Sequence, residues 1–242
     1  MNLLIDIGNS RIKWAFADGA TLGETQVAPT RPFPDGFAAI GAMSETPVRI
    51  ICANVAGAEA AEAVTAWADE RYSLAPILLR AEGHAFGIRN AYGEPDRLGA
   101  DRWAALIGAR RRSDKAVCVV DCGTAITVDL LDDDGRHRGG LIGPGVATMR
   151  RALYGTTAGI ADEGEGAVAP LAADTRSAVT AGTLYMAAAF IDRARAETEA
   201  TLARDVPCLL TGGDAPILAP LLRGRYEMAP DLVLEGLAVI AA

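Results

Sequence analysis

Two short acidic turns, about half a chain apart, carry residue types suited to holding a phosphate. Met1 to Phe16 reads MNLLIDIGNSRIKWAF, and Ala116 to Leu131 reads AVCVVDCGTAITVDLL. Each is an apolar run ending in Asp-x-Gly and a small polar residue, followed by a second apolar or alternating run. Asp6 and Asp121 offer carboxylates that can hold Mg²⁺ against phosphate oxygens, partly through water because that ion dehydrates reluctantly. Gly8 and Gly123 leave backbone N–H groups open to close approach by an anion. Gly8, Asn9, Ser10 and Thr124 supply backbone and side-chain donors. Lys13 alternates onto the same strand face as Arg11, as a point charge for a phosphate or as a solvated strand lysine. A single Asp-x-Gly after a strand is ordinary turn chemistry. A pair suggests two copies of one domain gripping a nucleoside triphosphate from both sides.

Two further segments add to this pattern. Leu209 to Ala215, LLTGGDA, runs an apolar strand into a Gly-Gly turn before a possible helix start at Pro216. Such a turn permits close approach of a flat ring such as adenine, or is a plain strand-to-helix connection. Within Leu98 to Trp103, LGADRW, Gly99 frees the backbone at a helix entry and places Asp101 in the first turn. A carboxylate there is either a favourable helix N-terminal charge or a proton acceptor for a substrate held by the loop before it.

The turns DIGNS and DCGTA with LLTGGDA resemble the two phosphate motifs and the adenosine motif of the actin-like ATPase and sugar-kinase superfamily. Within it, YGEPDRLGADRW (Tyr92 to Trp103) and GGLIGPG (Gly139 to Gly145) resemble type III pantothenate kinase, over nearly the whole chain. The resemblance implies an α/β fold of duplicated actin-like (ribonuclease H-like) domains with an ATP cleft between them. It implies ATP-dependent phosphorylation of pantothenate to 4'-phosphopantothenate, at the entry to coenzyme A synthesis. ATP would lie along Asp6, Ile7, Gly8, Asn9, Ser10, Arg11, Ile12, Lys13 and Thr124, with Mg²⁺ at Asp6 and a monovalent cation, K⁺ or NH₄⁺, at Asp121. The catalytic base would be Asp101. The substrate would meet Tyr92, Gly99, Ala100, Asp101, Arg102 and Thr175, and the enzyme would be a homodimer whose partner chain helps enclose the substrate. The family's usual Asn-Thr pair is Asp174-Thr175 here, and Thr175 is also placed to cap the helix that follows. A non-catalytic nucleotide-binding regulator on the same fold should lose the base or a carboxylate, yet Asp6, Asp101 and Asp121 are all present. A chaperone-type ATPase or polyphosphate hydrolase would need extra domains or a basic channel.

The elements that must position these residues follow from periodicity. Strands are expected at Leu3–Ile7, Ile12–Ala17, Thr21–Val27, Val48–Ala53 and Pro76–Leu79, and helices near Asp35–Met43, Ala58–Arg71 and Leu98–Arg112. Residues 83–97 form a long loop. The second copy starts with strands Ala116–Asp121, Ile126–Leu131 and about Arg138–Leu141. A long helix around Ser177–Thr201, strand Pro207–Leu210 and a last helix from Asp231 complete it. The domain division expected is 1–114 and 115–242.

The 242 residues are 50% hydrophobic and 5% aromatic, an ordinary α/β composition. A net charge of −8 with no basic stripe argues against nucleic acid. Arg110-Arg111-Arg112 falls at a predicted helix end, where cations suit the dipole. No apolar stretch of about 18 residues predicts a membrane span. No leader is apparent, so the expected location is cytoplasmic. Four cysteines without metal-ligand spacing read as buried thiols in a reducing compartment. Two histidines leave little for a histidine metal site or a Ser-His-Asp triad.

Overall fold

The computed structural model describes residues 1–32, 35–41 and 45–242. Two compact units emerge. The first comprises Met1–Ala116, Leu131–Gly139 and Asp231–Ala242, the second Val117–Leu130 and Gly140–Pro230.

The first unit begins with strands β1 (Asn2–Ile7), β2 (Arg11–Asp18), β3 (Thr21–Leu22) and β4 (Gln26–Pro29). Helix α1 (Asp35–Gly41), strand β5 (Arg49–Asn54), helix α2 (Ala58–Tyr72) and strand β6 (Ile77–Leu78) follow. β1 pairs antiparallel with β2, Ile7 opposite Ile12, and parallel with β5, Asp6 beside Ala53. The sheet order is β3-β2-β1-β5-β6, with β4 also on β2. The single strand expected at Thr21–Val27 is therefore two short ones, both on β2. The last residues of the helix expected at Asp35–Met43 lie outside the described residues.

Alternation explains the core. Leu3, Ile5 and Ile7 of β1 and Ile12, Trp14 and Phe16 of β2 turn to one face and pack with Phe37, Ile40, Ile50, Cys52 and Val64. The loop at 83–97 holds a small hairpin of its own, β7 (His84–Ala85) with β8 (Ile88–Arg89), and a 3₁₀ turn at Pro95–Arg97. Helix α3 (Ala100–Arg112) follows.

The second unit repeats the plan. Strands β9 (Val117–Cys122), β10 (Ala125–Leu131) and β11 (His137–Pro144) precede helices α4 (Val146–Thr156) and α5 (Thr175–Leu202). Strand β12 (Cys208–Thr211), the one-turn helix α6 (Ala215–Leu218) and strand β13 (Glu227–Met228) follow. The sheet order is β11-β10-β9-β12-β13. In both sheets the first strand is central, the strands that directly follow it lie on one side, and those reached through helices lie parallel on the other. The duplication suggested by the two Asp-Gly turns is thus a duplication of sheet topology. Asp6 and Asp121 both sit near the C-terminal ends of the central strands.

The chain's last helix, α7 (Leu232–Ala241), belongs to the first unit. This corrects the expected second domain of 115–242, as does the turn between β10 and β11. The reason is a close crossing of α3 and α7. A Cβ on Gly108 would overlap the Leu232 carbonyl oxygen, and one on Gly236 would overlap that of Ala104. Glycine at both points lets the backbones touch. Arg112, last of the basic run, donates to Glu235 at 2.7 and 2.6 Å, and Asn2 and Arg49 donate to the Ala241 carbonyl at 3.2 and 3.1 Å. Arg110 Nη1 donates to the carbonyls of Asp114 and Asp133 at 3.0 and 3.3 Å. These two arginines fasten the fold.

Candidate functional site

The first Asp-Gly turn is built at the β1–β2 connection. Gly8 N–H donates to the Arg11 carbonyl at 3.1 Å, and a Cβ on Gly8 would stand 3.1 Å from that same oxygen. Wholly buried Thr30 braces the turn from beyond β4. Its hydroxyl donates to the Gly8 carbonyl at 2.7 Å and its N–H to the Ser10 carbonyl at 3.1 Å. With these carbonyls occupied, Asn9, Ser10 and Arg11 are exposed. Lys13 lies directly opposite Asp6, so the two side chains share a sheet face. Ile7 and Ile12 are buried in the core, which leaves only their backbone to a ligand.

In the second unit three sequence motifs come together. Thr211 of LLTGGDA pairs beside Asp121, and Asp214 N–H donates to the Cys122 carbonyl at 2.9 Å. Gly212 takes φ +93°, and a Cβ there would overlap both the Asp121 carboxylate and the Cys122 carbonyl. Its smallness is thus used by the neighbouring turn, while Gly213 is exposed. From the third motif, Gly145 N–H donates to the Thr124 carbonyl at 3.0 Å, and a Cβ on Gly145 would overlap the Gly123 carbonyl. Thr148 of α4 adds its hydroxyl to the Thr124 carbonyl at 2.7 Å. Gly123 N–H donates to Ala125 at 3.0 Å. Burial, with the charges of Asp121 and Asp214, raises the Cys122 thiol pKa and keeps it protonated.

The residues expected to meet the acceptor gather at the start of α3. Gly99 is the N-cap, and its carbonyl accepts from Trp103 N–H at 2.9 Å. Asp101 folds back on its own turn, Oδ1 accepting the Arg102 N–H at 2.7 Å. A Cβ on Gly99 would stand 2.6 Å from that Oδ1, so glycine is what lets the carboxylate lie there. Ala100 is packed away. Arg102 is only 6% exposed, and its Nη1 donates to the Tyr92 hydroxyl at 3.0 Å. Asn90 fixes the loop before Tyr92, accepting its N–H at 3.0 Å and donating to the Pro95 carbonyl at 3.1 Å. Tyr92, Gly99, Ala100, Asp101 and Arg102 therefore form one cluster in the first unit.

Thr175 belongs to the second unit, exposed in the first turn of α5. It is not the helix cap. Asp174 is, its carboxylate accepting Ser177 N–H at 2.9 Å. That hydrogen bond, with help from the Ser177 hydroxyl and Arg176, lowers the Asp174 pKa below its ordinary 3.8. The cap is fully formed above that value and weakens as pH falls through the lowered one. Asp174→Ala should lower the thermal midpoint at neutral pH, and the gap from wild type should close on acidification. Asp174→Asn, also a good cap, should stay near wild type. An Ala variant indistinguishable at neutral pH would contradict the capping role.

A model of the type III pantothenate kinase family matches residues 2–197. A type III pantothenate kinase from Nitrosococcus oceani is 44% identical over 255 aligned positions, covering 100% of this chain and 94% of the relative. The chain belongs to the type III pantothenate kinase family. Solved structures agree on the fold. A Baf family protein from Campylobacter jejuni superposes with a TM-score of 0.61 at 20% identity, covering 97% of this chain and 94% of that one. The ROK hexokinase from Thermus thermophilus gives 0.50 at 14% identity, covering 99% and 97%. The architecture is the duplicated actin-like α/β fold. In this pantothenate kinase fold, Thr30, Thr148 and Gly145 hold the two Asp-Gly turns by donating to the turns' carbonyls. Sequence reasoning passed over the two threonines because neither has a local motif; each reaches its turn from a distant element.

Proposed function

We propose that this chain phosphorylates pantothenate with ATP, yielding 4'-phosphopantothenate, and that Asp101 accepts the hydroxyl proton. Family membership over the full chain carries this reading. In the reaction the substrate hydroxyl oxygen forms a bond to the γ-phosphorus. The bond from that phosphorus to the bridging oxygen breaks, ADP leaves, and the hydroxyl proton passes to the Asp101 carboxylate. In this reading Arg102 and Tyr92 orient the acceptor's polar groups, and each Asp-Gly turn offers donors suited to phosphate.

Among the described residues no three His, Cys, Asp or Glu side chains gather as a metal cage. Single carboxylates beside glycine turns suit an ion held jointly with phosphate oxygens and water, as Mg²⁺ is with ATP. Mg²⁺ at Asp6 would neutralise charge on the phosphates. A monovalent cation, K⁺ or NH₄⁺, is proposed at Asp121, whose oxygen donors suit a hard ion. Screening pantothenate and simple sugars as acceptors, with and without K⁺ or NH₄⁺, tests these assignments. Turnover should require pantothenate and rise with the cation. Equal turnover on sugars would contradict the substrate, and indifference to both ions would contradict the cation.

A cytoplasmic site of action is supported by four free, buried cysteines. Among the described residues no helix is long and apolar enough to cross a membrane. A homodimer is proposed through the second unit. There Leu141 and Ile142 of edge strand β11 are 46% and 63% exposed, and Tyr185 and Met186 of α5 are 43% and 62% exposed. Gly143 lies against the Phe190 ring, which brings strand and helix into one apolar surface. The partner chain would then help enclose the substrate. Light scattering should give twice the chain mass, and Ile142→Asp should yield monomers with reduced activity. A fully active wild-type monomer would contradict both points.

A further inference from the structure

The turn between β10 and β11 braces the loop that carries Tyr92. The Asp132 carboxylate, 7% exposed, accepts the N–H groups of Asp134 and Arg136 at 3.0 and 2.8 Å and Nη1 of Arg138 at 3.4 Å. Ala116 N–H donates to the Asp133 carboxylate at 3.1 Å, tying the turn to the residue that precedes β9. The turn so fixed meets the β7–β8 hairpin. Arg89 N–H donates to the Gly135 carbonyl at 2.8 Å, and Arg89 and Arg136 form a bridge. Gly135 takes φ +73°, and a Cβ there would overlap the Gly87 carbonyl.

Two residues beyond Gly135 stands His137, 3% exposed. Its ring lies 6.1 Å from the Tyr92 ring, 16° from parallel, within the range of offset stacking. The same Tyr92 accepts from Arg102, whose guanidinium carbon is 5.8 Å from the tyrosine ring. Arg102 in turn gives its backbone N–H to Asp101. A loop tyrosine without a flat backing is free to tilt about χ2, and a tilt moves the hydroxyl that directs Arg102.

We propose that His137 is a positioning residue for the acceptor substrate: its imidazole backs the Tyr92 ring and so fixes the Tyr92–Arg102 pair beside Asp101. The inference rests on the reading of Tyr92 and Arg102 as substrate contacts. The working feature is a flat ring, so charge on the imidazole is not required. Kinetics on the whole 242-residue chain test it with His137→Ala, His137→Phe, Tyr92→Ala and the His137→Ala/Tyr92→Ala double variant. His137→Ala should raise KM for pantothenate about fivefold to tenfold, the size expected for a lost ring stack. kcat and KM for ATP should stay within about twofold of wild type by the same reasoning, because neither reacting group is touched. His137→Phe should restore the pantothenate KM, and His137→Ala should add nothing in the Tyr92→Ala background. If His137→Ala does not fold, His137→Gln carries the same expectation.

An unchanged KM in His137→Ala, with a raised one in Tyr92→Ala, overturns the inference alone. So does an equal rise for both substrates, or a failure of His137→Phe to rescue. An unchanged KM in Tyr92→Ala overturns the substrate-site reading and the inference with it.

Discussion

Asp101→Asn should lower the rate of phosphoryl transfer to pantothenate by at least about 10²-fold, the lower end of what a positioned base contributes. The substitution keeps the size of the side chain and the Oδ1 that accepts the Arg102 N–H at 2.7 Å. The first turn of α3 should therefore stay folded, with the basicity alone removed. ATP affinity should be near normal, because the residues assigned to the phosphates lie elsewhere. Rate and binding must be measured on the same preparation. Wild-type turnover with only a lowered thermal midpoint would make Asp101 a helix-end charge, leaving the nucleotide assignment standing.

Asp6→Asn should fail differently. Asp6 sits at the end of the central strand, opposite Lys13 and beside Ala53, and its neighbours Ile5 and Ile7 are wholly buried. The amide keeps the shape but removes the charge that would help to hold Mg²⁺. The apparent KM for Mg·ATP should rise roughly 10–100-fold, as when a group supporting a metal is lost. KM for pantothenate should change little. Titrating Mg²⁺ at fixed ATP separates this from a general loss of fold: the variant should need more metal. An unchanged Mg²⁺ requirement would move the metal assignment away from Asp6.

What could be read from the sequence was mostly local. Asp6-x-Gly8 and Asp121-x-Gly123 stand out because a strand, a glycine turn and a second strand are written in consecutive residues. Their repetition gave away a topology that recurs in both sheets. The α3 start was equally local, with Gly99 before Asp101 marking both the helix entry and the folded-back carboxylate.

Long-range contacts were not legible. Nothing near Gly236 announces that it meets Ala104, so the return of α7 to the first unit was missed. Thr30 supports the first turn from 22 positions away. The motif places Ile7 and Ile12 among the residues expected at the phosphates, yet alternation turns their side chains into the core. At α5 two adjacent capping types, Asp174 and Thr175, compete, and the stronger one, Asp174, takes the role. Helix α4 carries apolar residues at helical spacing, Val146, Met149 and Leu153, which periodicity could have caught.

The product of the reaction is the most direct test of pantothenate phosphorylation. Purified chain incubated with Mg·ATP and pantothenate should convert pantothenate to a species heavier by one phosphoryl group. Phosphorus NMR should place that group on the primary 4'-hydroxyl, with ADP formed in equal amount. ADP accumulating without phosphorylated pantothenate, or a phosphate on another acceptor only, would contradict it.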